Sequence, residues 1–372
     1  MDVGNRRSSL ARRVIEPMRA AAIALGILAA FPAAPVEAAD LPCEIDGVER
    51  VVAVGDVHGA YDRFVDILKE AGILDSRARW SGGRTHFVQV GDVLDRGPDS
   101  RKVVDLLRRL EGEAEKAGGA VHALLGNHEV YRMLGDFRYT TPGEYRAFAT
   151  AESGELRARV AAAVKPENRD MVNALPLGSI EMRQAFAPDG EYGQWLRTLK
   201  AVVKINGVVF VHGGLDPASA ALSCETMNQM ARRELTDDME KTLADPLHSF
   251  VAAGSESARV GYPEDSPLYY RGLALEPDAF EPRADEMLAK QSARTIVIAH
   301  TVLTSGRIRV RWGGKVVQLD TGMQSAYVPA GRAAALEIRN GVFTAIYTDR
   351  HDVLFTQPAA TTPATPPPAA AR

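Results

Sequence analysis

The chain has 372 residues, a formal net charge of −4 and two cysteines, Cys43 and Cys224. Acids and bases are interspersed, which excludes the basic cluster of a nucleic-acid surface. Two cysteines exclude a disulfide-built scaffold and leave a single bridge and two unpaired thiols equally open. The length suits one large α/β domain or two small ones, since single cores grow to roughly 250–300 residues.

At the N-terminus, Arg6, Arg7, Arg12, Arg13 and Arg19 form a basic stretch, residues 20–31 are apolar, and Val36-Glu37-Ala38 places small residues where a signal peptidase reads. Residues 1–38 therefore read as a cleaved signal peptide. The alternative is a retained N-terminal membrane anchor, but the apolar run is shorter than the roughly 20 residues that span a bilayer, which favours removal and leaves no membrane span expected in the mature chain. Arg6-Arg7 is a weak twin-arginine pattern, with only Leu10 of the hydrophobic residues that usually follow. The mature protein is expected outside the cytoplasm, in a periplasm. Cys43 follows Asp40-Leu41-Pro42, which lacks the small residues of a lipoprotein processing site.

The domain is expected over residues 45–355. Val51 to Val54 predicts a strand, Tyr61 to Ala71 a helix with Phe64, Val65, Ile67 and Leu68 on one face, and Phe87 to Val90 the next strand. Asp99 to Lys116 predicts a second amphipathic helix and Ala120 to Leu125 a third strand. This β-α-β-α-β opening implies a parallel sheet buried on both sides. From about 130 to 200, alanine, arginine and glutamate dominate and predict an inserted group of helices, a candidate cap. Val202 to Val211 follows as one strand, then a helix from about Ala220 to Leu243. The closing part predicts strands at Thr295 to Ala299, Ile308 to Trp312, Val316 to Leu319, Ala333 to Arg339 and Val342 to Tyr347, with Asn340-Gly341 as a hairpin turn. These strands read as a second sheet. Residues 357–372, rich in Pro, Ala and Thr, predict a disordered tail.

Four polar segments stand out: Gly55-Asp56-Val57-His58-Gly59, Gly91-Asp92-Val93-Leu94-Asp95-Arg96-Gly97, Gly126-Asn127-His128-Glu129 and His212-Gly213-Gly214. Apolar runs deliver them into loops, where open α/β sheets build active sites. Asp56 and His58, two apart in extended chain, can face one cation while Val57 turns to the core. Asp92 has two oxygens with which to bridge two ions, Asn127 offers a carbonyl, and His212 and His300 add imidazoles at later strand ends. Flanking glycines allow the tight turns this needs. The mixed oxygen and nitrogen set suits two borderline divalent ions: manganese is expected, with iron, zinc or cobalt as alternatives.

The series GDVHG, GDVLDRG, GNHE, HGG and Ala299-His300-Thr301 resembles the phosphoprotein phosphatase branch of the metallophosphoesterases, over roughly Val51 to Thr321. The helical insert and Pro267-Leu268-Tyr269-Tyr270-Arg271-Gly272 are most similar to the Shewanella-like protein phosphatases, a largely bacterial and plant subgroup. The resemblance implies an α/β double β-sheet sandwich flanked by helices. It assigns Asp56, His58 and Asp92 to one metal, and Asp92, Asn127, His212 and His300 to the other. It makes His128 the general acid and Asp95 the residue that holds its imidazolium. Arg96 and Arg271 would clamp phosphate oxygens, with Asn127 beside them on the substrate side.

Phosphate monoesters are anionic and hydrolyse extremely slowly unaided. Two cations that lower the pKa of a bridging water from 15.7 toward roughly 7 would allow direct in-line attack at neutral pH. A general acid then contributes on the order of 10² to 10⁴ in rate. Neither cysteine lies in a phosphatase-type loop. The reading is therefore a protein phosphatase acting on phosphoserine, phosphothreonine or phosphotyrosine, and the alternative a dinucleoside polyphosphate or small-ester hydrolase. An inactive phospho-binding module would lack a ligand, the acid or an arginine, and none is missing. Glu129 reads either as a partner of the site or as a helix start. Asp320-Thr321-Gly322 reads as a turn or a neighbour of the site, Tyr269 and Tyr270 as core or as rings that stack on substrate, and His86, His122, His248 and His351 as structural.

Overall fold

The computed structural model describes residues 42–243 and 264–357. The leader read over 1–38, His248 and residues 358–372 of the tail lie outside the described residues. Two six-stranded sheets face each other. The first contains β2 (Arg50–Val54), β3 (His86–Gln89) and β4 (Ala120–Ala123) in parallel, extended by β10 (Ala334–Arg339), β11 (Val342–Tyr347) and β12 (Arg350–Thr356). The second contains β1 (Glu44–Ile45), β5 (Val202–Ile205), β6 (Val208–Val211), β7 (Thr295–Ile298), β8 (Arg309–Arg311) and β9 (Val316–Gln318).

The continuous apolar runs follow from burial on both faces. Val51 and Ala53 turn into the layer between the sheets with Val88, Phe210, Val297 and Leu336. Val52 and Val54 turn outward against Phe64, Ile67 and Leu68 of α1 (Tyr61–Glu70) and Val103 and Leu107 of α2 (Ser100–Lys116).

Two expectations are corrected. Val202 to Val211 is not one strand but an antiparallel hairpin, β5 with β6, turned by Asn206 (φ 51°) and Gly207 (φ 74°). Positive φ at both central residues is the two-residue turn that asparagine-glycine favours, and apolar residues on both sides hid it. The closing strands also do not form a sheet of their own. β7, β8 and β9 join the hairpin, whereas β10 pairs antiparallel with β2, Leu336 opposite Ala53, and carries β11 and β12 with it. Burying Leu336 and Phe343 against the second sheet fixes that register.

The stretch after β4 is helical: α3 (Asn127–Met133), α4 (Pro142–Phe148), α5 (Ser153–Ala163), α6 (Arg169–Ala174), α7 (Ser179–Ala185) and α8 (Glu191–Leu196). Phe148, Phe186 and Tyr192 pack ring against ring at its centre, 5.2–5.8 Å apart. Helix α9 (Cys224–Leu243) begins at a disulfide to Cys43, with the Cα atoms 6.0 Å apart, so the two thiols are paired. A final helix, α10 (Glu281–Lys290), covers the second sheet. Among the described residues, no helix is long and apolar enough to cross a membrane.

Candidate active site

The carboxyl ends of β2, β3, β4, β6, β7 and β9 open toward one edge of the sandwich, and each is followed by a residue of the site. Asp56, Asp92, Asn127, His128, His212 and Asp320 are all at most 4% exposed. Five side chains stand on left-handed backbone without being glycine: His58 (φ 47°), Asp92 (φ 56°), Asp95 (φ 67°), Arg96 (φ 63°) and His300 (φ 61°). Such geometry costs of order 1 kcal/mol or more per residue, and it turns each side chain sharply off its strand. Gly126 is needed for another reason: a Cβ there would strike the carboxylate and backbone nitrogen of Asp92.

The donors form two groups that share Asp92: His58, Asp92 and His128, and Asp92, His212 and His300. His58 Nδ1 lies 2.8 Å from the Leu94 carbonyl, and His212 Nδ1 lies 2.8 Å from that of Val90. Carbonyls only accept, so both rings carry their proton on Nδ1 and present a bare Nε2 inward. His58 Nε2 then faces Asp56 Oδ2 and Asp92 Oδ2, each at 3.7 Å. His212 Nε2 faces Asp92 Oδ2 at 3.3 Å and Asn127 Oδ1 at 3.1 Å. Lone pairs converge on lone pairs with no proton between them. Metal–donor bonds of about 2.0–2.2 Å place neighbouring donors roughly 3–4 Å apart, so the residues fit divalent ions.

Electrostatics agrees. Burial, then Asp320 and Asp92, push the Asp56 carboxyl well above its ordinary range. Burial, with His128 beside it, lowers His58 to about 3. Burial, with His212 beside it, also lowers His300. Asp56, His58 and His300 thus disfavour their charged forms, which a cation would relieve, whereas Asp92 and His212 support each other against burial, the carboxyl held well below and the imidazole above its ordinary range.

His128 sits within reach of the first group, but its bonds point elsewhere. Nδ1 is 2.8 Å from Asp95 Oδ2, and Nε2 is 3.3 Å from the Arg96 guanidinium and 3.9 Å from Asp92 Oδ2. Burial works against its charged form, yet Asp92 and Asp95 hold its pKa above the ordinary histidine value.

A cavity of about 610 Å³ opens over this group, with Asp56, Asp92, Asn127, His128 and His300 at its floor and Arg96 and Arg271 in its walls. The Arg96 guanidinium stacks 3.9 Å from the Tyr327 ring. Arg271 Nη1 donates to the His300 carbonyl at 3.2 Å and to Thr301 Oγ1 at 3.0 Å. Tyr269 and Tyr270 meet both readings: partly buried, they pack against the core and line the cavity with Tyr131, Tyr139 and Tyr327.

Both readings of Glu129 hold. It lies in the first turn of α3, and its fully buried carboxylate accepts the backbone N–H groups of Asp92, Val93, Leu94 and Gly126. Asp320 adjoins Asp56 and accepts from the Gly322 N–H at 3.0 Å. His86 and His122 lie together at 3.0 Å, away from the site, and His351 meets Glu70 at 3.0 Å. Sequence reasoning missed Arg132 and Glu144, which bond directly to Asp95.

The calcineurin-like phosphoesterase pattern matches residues 49–303. Shewanella-like protein phosphatase 2 of Arabidopsis thaliana is 36% identical over 201 residues, 50% of this chain and 51% of that one, so the chain spans about half of that relative's length. An uncharacterized protein of Schizosaccharomyces pombe is 31% identical over 296 residues, 77% of this chain and 76% of that one. Among solved structures, a cold-active protein-tyrosine phosphatase of a psychrophilic Shewanella species superposes with a TM-score of 0.63 at 27% identity, covering 85% of this chain and 83% of that one. Fold, donor set and these likenesses agree: the chain belongs to the calcineurin-like phosphoesterase family.

Proposed function

We propose that the protein hydrolyses phosphate monoesters on proteins, with phosphotyrosine as the preferred class and manganese as the physiological metal. The observation that carries the reading is the sharing of Asp92 between two donor groups at the floor of a cavity that also holds His128 and two arginines. When bound, two divalent ions supply an acidified water and neutralise charge on the phosphate. Asp56, His58 and Asp92 would hold one, and Asp92, Asn127, His212 and His300 the other.

The remaining residues handle substrate and proton. Arg96 and Arg271 line the cavity with planar guanidinium groups suited to bidentate grip on phosphoryl oxygens, and Asn127 lines it with them. As the ester bond breaks, His128 gives its Nε2 proton to the leaving oxygen, with Nδ1 held by Asp95. Tyr131, Tyr139, Tyr269 and Tyr327 give the cavity aromatic walls that suit a phenyl ester better than a seryl one. The tyrosine-phosphatase title of the Shewanella structure favours the same preference.

Phosphate release from matched phosphotyrosine, phosphoserine and phosphothreonine peptides, with manganese added to metal-stripped protein, tests the proposal. Turnover led by phosphotyrosine is expected. Equal or better turnover of seryl peptides would remove the preference, and faster hydrolysis of diadenosine polyphosphates would replace the protein-phosphatase reading. Export to a periplasm is proposed from the N-terminal pattern alone, and N-terminal sequencing of protein recovered from the periplasm should begin after Ala38 or close to it.

A further inference from the structure

The helical insert reaches His128 from behind. Arg132, on α3, is 1% exposed, and its Nη2 donates to Asp95 Oδ1 at 2.5 Å, to Glu144 Oε1 at 2.9 Å and to Thr140 Oγ1 at 3.2 Å. The other oxygen of Asp95 is the one that holds His128 Nδ1. Glu144, on α4 and 1% exposed, also receives the Asp95 backbone N–H at 3.1 Å and the Ser100 hydroxyl at 2.6 Å. The guanidinium is confined by Phe186, 5.1 Å from its carbon, and Phe137, at 5.7 Å, and its Nη1 points at Met182 Sδ on α7. Asp95 is therefore fixed at its backbone and at both carboxylate oxygens, Oδ1 also accepting from the Thr140 hydroxyl at 3.1 Å, and three of these four contacts come from the insert.

We propose that Arg132 and Glu144 are positioning residues for proton delivery. They set the rotation of the Asp95 carboxylate, which sets the plane of the His128 ring and aims Nε2 at the leaving oxygen. A water oxygen forms the new bond to phosphorus and gives up a proton to solvent, the ester P–O bond breaks with its electron pair on the leaving oxygen, the Nε2 proton satisfies that oxygen, and the ring is reprotonated from solvent. The insert thus belongs to the chemical apparatus as well as to the cavity wall. This inference rests on the reading of His128 as the general acid.

Leaving-group dependence separates the two claims. Nitrophenolate departs without a proton, whereas phenolate needs one, so kcat and KM are measured on p-nitrophenyl phosphate and phenyl phosphate for His128→Asn, Arg132→Met, Arg132→Lys and Glu144→Gln. Arg132→Met and Glu144→Gln are expected to lose on the order of tenfold to a hundredfold in kcat on phenyl phosphate and less than about threefold on the nitrophenyl ester, with KM unchanged. Arg132→Lys should recover part of the loss. Equal losses on both esters, or none, would overturn the inference while His128→Asn still discriminates between them. Failure of His128→Asn to discriminate would overturn the general-acid reading itself. Should Arg132→Met show no cooperative melting transition, the isosteric Glu144→Gln decides by the same comparison.

Discussion

Glu129→Gln exchanges one oxygen for an amide nitrogen on a carboxylate that accepts four backbone N–H groups beside the site. Oε2 takes the N–H groups of Asp92 and Gly126, both at 2.8 Å, and Oε1 those of Val93 at 2.9 Å and Leu94 at 3.2 Å. Four converging donors require the anion, although burial pushes its pKa upward. In glutamine, one pair of backbone donors would face an NH₂ group. Two buried N–H groups then lose their acceptor at about 1–3 kcal/mol each, and the bonds to the remaining oxygen lose their charge assistance. A loss of about 3–6 kcal/mol is expected, a large part of the ordinary 5–15 kcal/mol of a folded domain. Because the same bonds fix the loop that carries Asp92, metal affinity should fall roughly 10–100-fold. Urea unfolding of the metal-stripped variant measures the first effect and manganese titration calorimetry the second. A stability loss below about 1 kcal/mol, with affinity unchanged, would refute the claim that this carboxylate holds the ligand loop.

Asp92→Ala removes the one carboxylate common to both donor groups, so bound metal, read by elemental analysis, should fall for both ions rather than for one. Glu111 is raised to about 7, chiefly by burial and despite the Trp195 N–H that it accepts. A raised carboxyl contributes stability below its unfolded pKa and loses it as pH rises through 7, so Glu111→Gln should stabilise the fold by about 2 kcal/mol at pH 8 and little at pH 4.5. Cys224→Ser opens a disulfide spanning 181 residues, and chemical unfolding should report a loss of about 3–5 kcal/mol. Tyr327→Ala removes the ring beneath the Arg96 guanidinium and should raise KM for phenyl phosphate by about tenfold, the counterpart of an arene contact worth roughly 1 kcal/mol or a little more. An unchanged KM would take Tyr327 out of substrate binding.

The ligands were legible because each sits where an unbroken apolar run stops. Burial on both faces makes such runs conspicuous, and strand ends in open sheets point to one edge. His300 was found by that rule although no glycine doublet marks it. The rest depended on contacts that local pattern does not encode. Arg132 lies among the arginines of the insert and is singled out only by Asp95, 37 residues earlier, and Glu144, 12 later. β1 is two residues long and exists only because Lys204 and Ile205 lie beside it. The Asn206-Gly207 turn carried its signal openly, yet valines on both sides outweighed it. Tyr269 and Tyr270 both pack on the core and line the cavity, a double role that the path of the chain decides and its composition does not.

The left-handed backbone at His58, Asp92, Asp95, Arg96 and His300 sets folding against turnover. Asparagine or glycine would sit more comfortably at His58, Arg96 and His300, whereas at Asp92 and Asp95 it would strand buried partners, so a library sorted by thermal resistance should enrich them at those three positions alone. The same library sorted by phosphate release should purge them. Elsewhere in the sheets the two rankings should run together, and the three positions where they invert would trace the outline of the catalytic centre without reference to any bound ligand.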